Sequence, residues 1–217
     1  MRLNCEEGLL AASDTAFSDR ERELFRQLVR FVNERLEAAR ELQHLIAAMP
    51  SDAGSGLDRR LHAFLRECWD ALDGLGRLVN VCLHEQFPDA GLYPPDRMTR
   101  QCTFYTVRRA LCSHPDTAPH PLAEYLSVQT RLRPNPAYER LSFLYNLSIF
   151  VPLPLTPDGS LPGWDDVPAQ VRPLARSCGV KGCSVAEGTA DILGWLNEFA
   201  EGCCLLMKDA LEERAAD

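Results

Sequence analysis

The chain has 217 residues, 46% of them hydrophobic and 25% charged, enough apolar material for one sizeable core and too much for a disordered chain. No stretch approaches the roughly 18 apolar residues of a membrane span, and Met1-Arg2-Leu3-Asn4-Cys5-Glu6-Glu7 lacks the apolar run of a secretory signal, so a cytoplasmic protein without membrane contact is expected. The formal net charge of −8 argues against a generic nucleic-acid binder.

Residues 1–17 carry little periodic pattern and read as a loosely held N-terminal arm. Ser18-Asp19-Arg20-Glu21 is a capping box, in which the Ser18 hydroxyl accepts from the Glu21 N–H while the Glu21 carboxylate reaches back. Phe25, Leu28, Val29, Val32, Leu36, Ala39 and Ile46 then follow at the spacing of one helical face, until Pro50 and the run Ser51-Asp52-Ala53-Gly54-Ser55-Gly56 end the helix.

The stretch 57–87 predicts the central helix of a bundle, antiparallel to the first across a short loop. Leu61, Leu65, Cys68, Leu72, Leu75, Val79 and Cys82 alternate steps of four and three, a coiled-coil-like seam over three heptads. Phe64, Trp69, Leu78 and Leu83 lie on other faces, so more than half the circumference is apolar. Gly74 and Gly76 each weaken a helix by about 1 kcal/mol, which points to a neighbour approaching closely at that level.

Beyond the turn-rich 88–95, a third helix is expected over 97–113, then short helices over 122–132 and 137–150, split by Pro134-Asn135-Pro136. Residues 151–173 hold six prolines, which no regular element survives. Val151, Leu153, Leu155, Leu161 and Trp164 make this stretch an irregular strap packed on the bundle. A short helix is expected after Asp165-Asp166, with Pro168 in its first turn and Cys178-Gly179 closing it. The last helix spans 185–214, where Ile192, Leu196, Phe199, Cys203, Leu206 and Ala210 again alternate four and three. The expected fold is therefore all-α: a single domain over 1–217, a multi-helix bundle of six or seven helices with two long antiparallel ones and a long C-terminal helix.

Nine cysteines without a secretory signal point to free thiols, with Cys68, Cys82 and Cys102 as small buried hydrophobes inside helical patterns. Cys178-x4-Cys183 lacks the paired spacing of a zinc site. Glu41-x-x-His44 is one half of a di-iron pattern whose second half is missing, and it reads as a solvated helix face. No metal and no other cofactor is expected. Of 23 basic residues 21 are Arg, the usage of a GC-rich, bacterial genome.

Two groups of residues are candidates for chemistry. On the central helix, Asp73, Arg77, Asn80 and His84, with Asp70, share one side; they are either a polar pocket between helices or an i,i+4 ion pair on an exposed edge. On the third helix, Arg109-Ala110-Leu111-Cys112-Ser113-His114 places an Arg five residues before a His, beside Arg108. Within 97–140, seven Arg stand against three acids, a net of +4 that makes RNA a candidate partner of this segment.

The Arg109–His114 motif, together with the helix pattern over 18–150, resembles the HEPN family of helical-bundle proteins. Many members of that family are ribonucleases of antiviral or toxin systems that act as dimers without metal. The resemblance implies that Arg109 holds a scissile phosphate and that His114 serves as general acid or base, a role imidazole side chains commonly take. The sequence departs from the family at Ala110, where a polar residue commonly follows the Arg, and at His114, which precedes Pro115 and so stands at a helix end.

No phosphate-binding Gly-rich loop, nucleophile elbow or zinc-protease helix is present. The reading that follows is a non-enzymatic interaction or accessory protein, a homodimer through one of the two seams or the partner of another protein. A HEPN-like, metal-independent ribonuclease is the first alternative, and small-molecule or metal binding within the bundle the second.

Overall fold

The Ser18–Glu21 capping box forms as its spacing predicts: Glu21 Oε2 accepts from the Ser18 N–H at 3.1 Å and from the Ser18 hydroxyl at 2.6 Å. The helix it opens belongs to an all-α, multi-helix bundle, seen in a computed structural model that describes residues 6–49, 55–98, 101–150, 155–156, 158–172 and 180–216. The helices among these residues are α1 (Glu6–Ala16), α2 (Asp19–Ala47), α3 (Ser55–Leu83), α4 (Phe104–Ser113), α5 (Pro121–Ser127), α6 (Pro136–Phe150) and α7 (Val185–Ala216). No helix among the described residues is long and apolar enough to cross a membrane.

The chain divides into two compact units, each assembled from non-consecutive segments: unit 1 from residues 1–34, 70–133 and 197–217, unit 2 from residues 35–69 and 134–196. No linker announces the division, because α2, α3 and α7 each contribute residues to both units and run without a break.

In unit 1 the first half of α2 packs against the second half of α3. A methyl placed on Gly74 would lie 2.7 Å from Val32 Cγ2 and 3.0 Å from Phe31 Cδ1, and one on Gly76 would lie 2.6 Å from the Cα of Phe104. The two glycines thus mark the close approaches their helix-weakening cost implied. The core here includes Phe25, Leu75, Leu78, Val79 and Leu122, all at most 1% exposed. Phe199 of α7 lies edge-on to Phe104 and stacks on Tyr125, at centroid distances of 5.8 and 5.5 Å.

Residues 6–17 depart from expectation. Glu6–Ala16 is helical rather than a loose arm, with Leu9, Ala12 and Phe17 at 7% exposure or less. Three turns are too short to be stable alone, and it is burial against the bundle that holds them.

In unit 2 the second half of α2 runs beside the first half of α3, with Arg35 and Glu67 paired at 2.8 Å. Within each unit residue numbers fall along α3 as they rise along α2, from Glu21–His84 to Val32–Gly74 and from Arg35–Glu67 to Met49–Arg60, so the two helices are antiparallel. Trp69 stacks on Tyr145 at 4.4 Å, and α6 and α7 are tied by the Arg140–Asp191 ion pair at 2.9 Å.

The described part of the strap is irregular. Leu161 forms a single antiparallel bridge with Cys183, Gly163 and Gly182 let the two backbones approach, and Trp164 lies 6.2 Å from Phe143. Val151 and Leu153 fall outside the described residues, as does most of the short helix expected after Asp166, of which the turn at Pro168–Val171 is seen.

The third helix also starts later than expected, at Phe104 rather than residue 97. Thr103 and Thr106 form a reciprocal capping box there, while Pro95–Arg97 is a separate 3-10 turn. The residues of the α3 seam are all at most 1% exposed, as are Ile192, Leu196, Phe199 and Cys203 of α7. The α3 seam is thus covered by its own chain, while Leu206 of the α7 seam is half-buried. Cys68, Cys82 and Cys102 are buried as expected, and burial pushes all three thiols up, that of Cys102 to about 11.

Candidate functional site

Arg109 and His114 lie on one wall of an open groove in unit 1. The wall is a single face of α4: Tyr105, Thr106, Arg109, Ala110, Ser113 and His114 recur at steps of one, three, one, three and one, the spacing of adjacent helical rows. The opposite wall is the 90–93 loop, with Ala90, Gly91 and Tyr93. Gly91, at φ 77°, takes the left-handed conformation that turns this loop after the 3-10 turn Pro88–Ala90. The groove has a volume of about 400 Å³.

Asp73, Arg77 and Asn80 hold the groove's walls to α3. Asp73 Oδ1 accepts from the Phe104 N–H at 2.9 Å, and Arg77 Nε donates to the Cys102 carbonyl at 3.1 Å, so two charged groups of α3 grip the start of α4. Each is engaged by backbone. Asn80, fully buried, takes both backbone groups of Tyr93: its Nδ2 donates to the carbonyl at 2.6 Å and its Oδ1 accepts from the N–H at 2.9 Å. An amide with one donor side and one acceptor side is the group that can satisfy such a pair in the interior. These residues therefore position the groove rather than line it. His84 lies apart, beside Glu21 and Glu85.

Burial pushes the Asp73 carboxyl upward, opposed by the Phe104 N–H and by Arg77. A carboxyl held above its unfolded value contributes stability fully present below the unfolded value and lost as pH rises through the folded one. Asp73→Asn keeps an acceptor for the Phe104 N–H and removes the titration. The stability of the Asn variant relative to the natural chain should therefore rise with pH across the acidic range, as measured by urea unfolding at several pH values. A difference constant with pH would show that the carboxyl is not the titrating group.

Within the groove, Arg109 is exposed and makes no hydrogen bond or ion pair with the described residues. His114 is the C-cap of α4, with its side chain 27% exposed. Its Nδ1 faces Asp116, 3.4 Å from the backbone N–H and 3.8 Å from a carboxylate oxygen. Tyr105 is 48% exposed and carries the Arg108 guanidinium 5.2 Å above its ring.

Of the seven Arg in 97–140, Arg97, Arg109, Arg131 and Arg133 are exposed. Arg108 donates to the Thr130 carbonyl and hydroxyl, Arg140 pairs with Asp191, and Arg100 falls outside the described residues. Exposed acids, Asp89, Asp96 and Asp116, stand on the same stretch of chain as the groove, so the local field is mixed rather than strongly basic. Glu41 and His44 are both exposed on α2, in keeping with a solvated face, and Cys178 lies outside the described residues.

Tyr93 sits among prolines in a loop, where recognition concentrates, and that is the sequence signal it carries. Tyr105 was not legible as a groove residue, since aromatic residues on a helix read first as core. Its place four residues before Arg109, on the same helical row, was the signal available. No family model, curated protein or solved structure matches this chain.

Proposed function

We propose that this chain is a non-enzymatic interaction protein whose unit 1 groove takes a small ligand bearing a planar ring and one anionic group, a nucleoside monophosphate being the class that fits. The observation that carries this reading is the meeting of Arg109, without a partner among the described residues, with two tyrosines and His114 in one concave site. A guanidinium binds a phosphate through a planar fork of donors, and a tyrosine ring stacks on a base. The groove's volume lies in the range of small-molecule sites, and its mixed surroundings favour one anionic group over a polyanion. A second reading, a HEPN-like ribonuclease, is supported by Arg109 and His114 sharing that groove.

Isothermal titration with AMP, adenosine and inorganic phosphate tests the first reading. AMP is expected to bind better than either fragment, and Arg109→Glu to weaken it by about tenfold or more, the size of a lost charge-assisted hydrogen bond. Affinity unchanged in Arg109→Glu would remove the groove from consideration. Incubation with mixed RNA in EDTA separates the second reading: cleavage that disappears in His114→Ala would replace the binding role with catalysis.

A further inference from the structure

Three ligating side chains meet in unit 1, away from the groove, where the first turn of α2 lies beside the end of α3. His84 Nε2 is 3.6 Å from Glu21 Oε1 and 4.0 Å from Glu85 Oε1, and among the described residues this group holds its three ligand atoms within 4.8 Å of one another. The His84 and Glu21 side chains are 8% and 11% exposed, while Glu85, at 53%, stands at the rim.

Each of the three has its other polar atom anchored. His84 Nδ1 lies 3.0 Å from the Val81 carbonyl, a contact that requires the proton on Nδ1 and leaves the Nε2 lone pair of the neutral ring facing the carboxylates. Glu21 Oε2 is held by the N–H and hydroxyl of Ser18, which leaves Oε1 turned towards the ring. Glu85 Oε2 accepts from the Arg214 guanidinium, again leaving Oε1. With the ring neutral, three acceptors thus converge with no donor among the described residues between them, and at 3.6 Å the closest pair is beyond an ordinary hydrogen bond. Outer partners that fix the tautomer of a histidine and the direction of carboxylates are the usual support of a metal centre.

We propose that Glu21, His84 and Glu85 bind a divalent first-row transition ion, with Zn2+ the best match. One imidazole and two carboxylates form a mixed nitrogen and oxygen set suited to such ions. Around a tetrahedral zinc with donors at about 2.0–2.1 Å, neighbouring donor atoms stand roughly 3.3 Å apart. The Glu21–His84 pair reaches that spacing by a shift of a few tenths of an ångström, and the exposed Glu85 side chain can swing in to close the wider gap. Three protein ligands leave a fourth position open to water.

The full-length chain, stripped with a chelator, is titrated with Zn2+ by calorimetry and with Co2+ by visible absorption. One equivalent is expected, without a thiolate charge-transfer band, its affinity falling about tenfold or more in both His84→Ala and Glu21→Gln. Glu85→Gln at the rim gives the same readout should a core variant fail to fold. His44→Ala, on the exposed face of α2, is expected to bind as the natural chain does. Absence of saturable binding, a thiolate band, or affinity unchanged in the His84 and Glu21 variants would overturn the site.

Discussion

Asn80→Ala is expected to lower stability by about 2–4 kcal/mol and to abolish ligand capture by the groove. The side chain is fully buried and satisfies both backbone groups of Tyr93. Its loss leaves an N–H and a carbonyl without their partner, each at a cost of about 1–3 kcal/mol, reduced where water can reach the half-buried Tyr93. The loop wall of the groove then has no anchor on α3. Asn80→Asp should be no better, because it retains the acceptor for the N–H but sets a buried carboxylate against the Tyr93 carbonyl. Chemical denaturation and AMP titration measure the two effects. A loss below about 1 kcal/mol, less than one orphaned backbone group costs, or unchanged binding in the Ala variant, would show that the loop is held by other contacts.

Gly76→Ala is the second large effect, and it inverts an intrinsic preference. In an open helix the change gains up to about 1 kcal/mol. Here the new methyl would meet the Phe104 Cα at 2.6 Å and its backbone nitrogen at 2.9 Å, and backbone cannot rotate aside as a side chain can. Overpacking typically costs about 1–3 kcal/mol and more where the neighbour is rigid, so the clash outweighs the propensity. Displacement of Phe104 would also disturb the Asp73 and Arg77 contacts that grip the start of α4. Gly194 of α7 is the matched comparison: it is exposed, and a methyl there meets nothing within 4 Å. Gly194→Ala should therefore stabilise by about 0.5–1 kcal/mol. Thermal and urea unfolding of the two variants should move in opposite directions; a Gly76→Ala chain at least as stable as the natural one would mean that α4 can yield.

Part of the groove is legible in the sequence. Arg109 and His114 stand out through their spacing, and Tyr93 through its proline-rich loop, since each signal lies within a few residues. That these three meet is not legible there, because α4 and the 90–93 loop come together only through α3. The polar residues of the central helix illustrate the same limit. Their shared side is evident from helical periodicity, yet the partners of Asp73, Arg77 and Asn80 are backbone groups 13 to 31 residues away, and backbone carries no sequence signature. Glu21 reads as a capping residue, which it is, but its second oxygen faces a histidine far along the chain, at the end of α3.

What the sequence determined by itself was local or periodic. The all-α class, the Ser18 capping box, the long α2 and α3, the C-terminal helix and the buried cysteines all follow from hydrophobic spacing and side-chain caps, interactions between neighbours on one helix. The tertiary structure decided the rest. It made α1 a helix, delayed the start of α4 to Phe104, divided the chain into two units along unbroken helices, and buried the α3 seam within its own chain. The physical reason is common to all of these: short helices and close approaches draw their stability from burial against distant segments, and that term exists only once the segments have met.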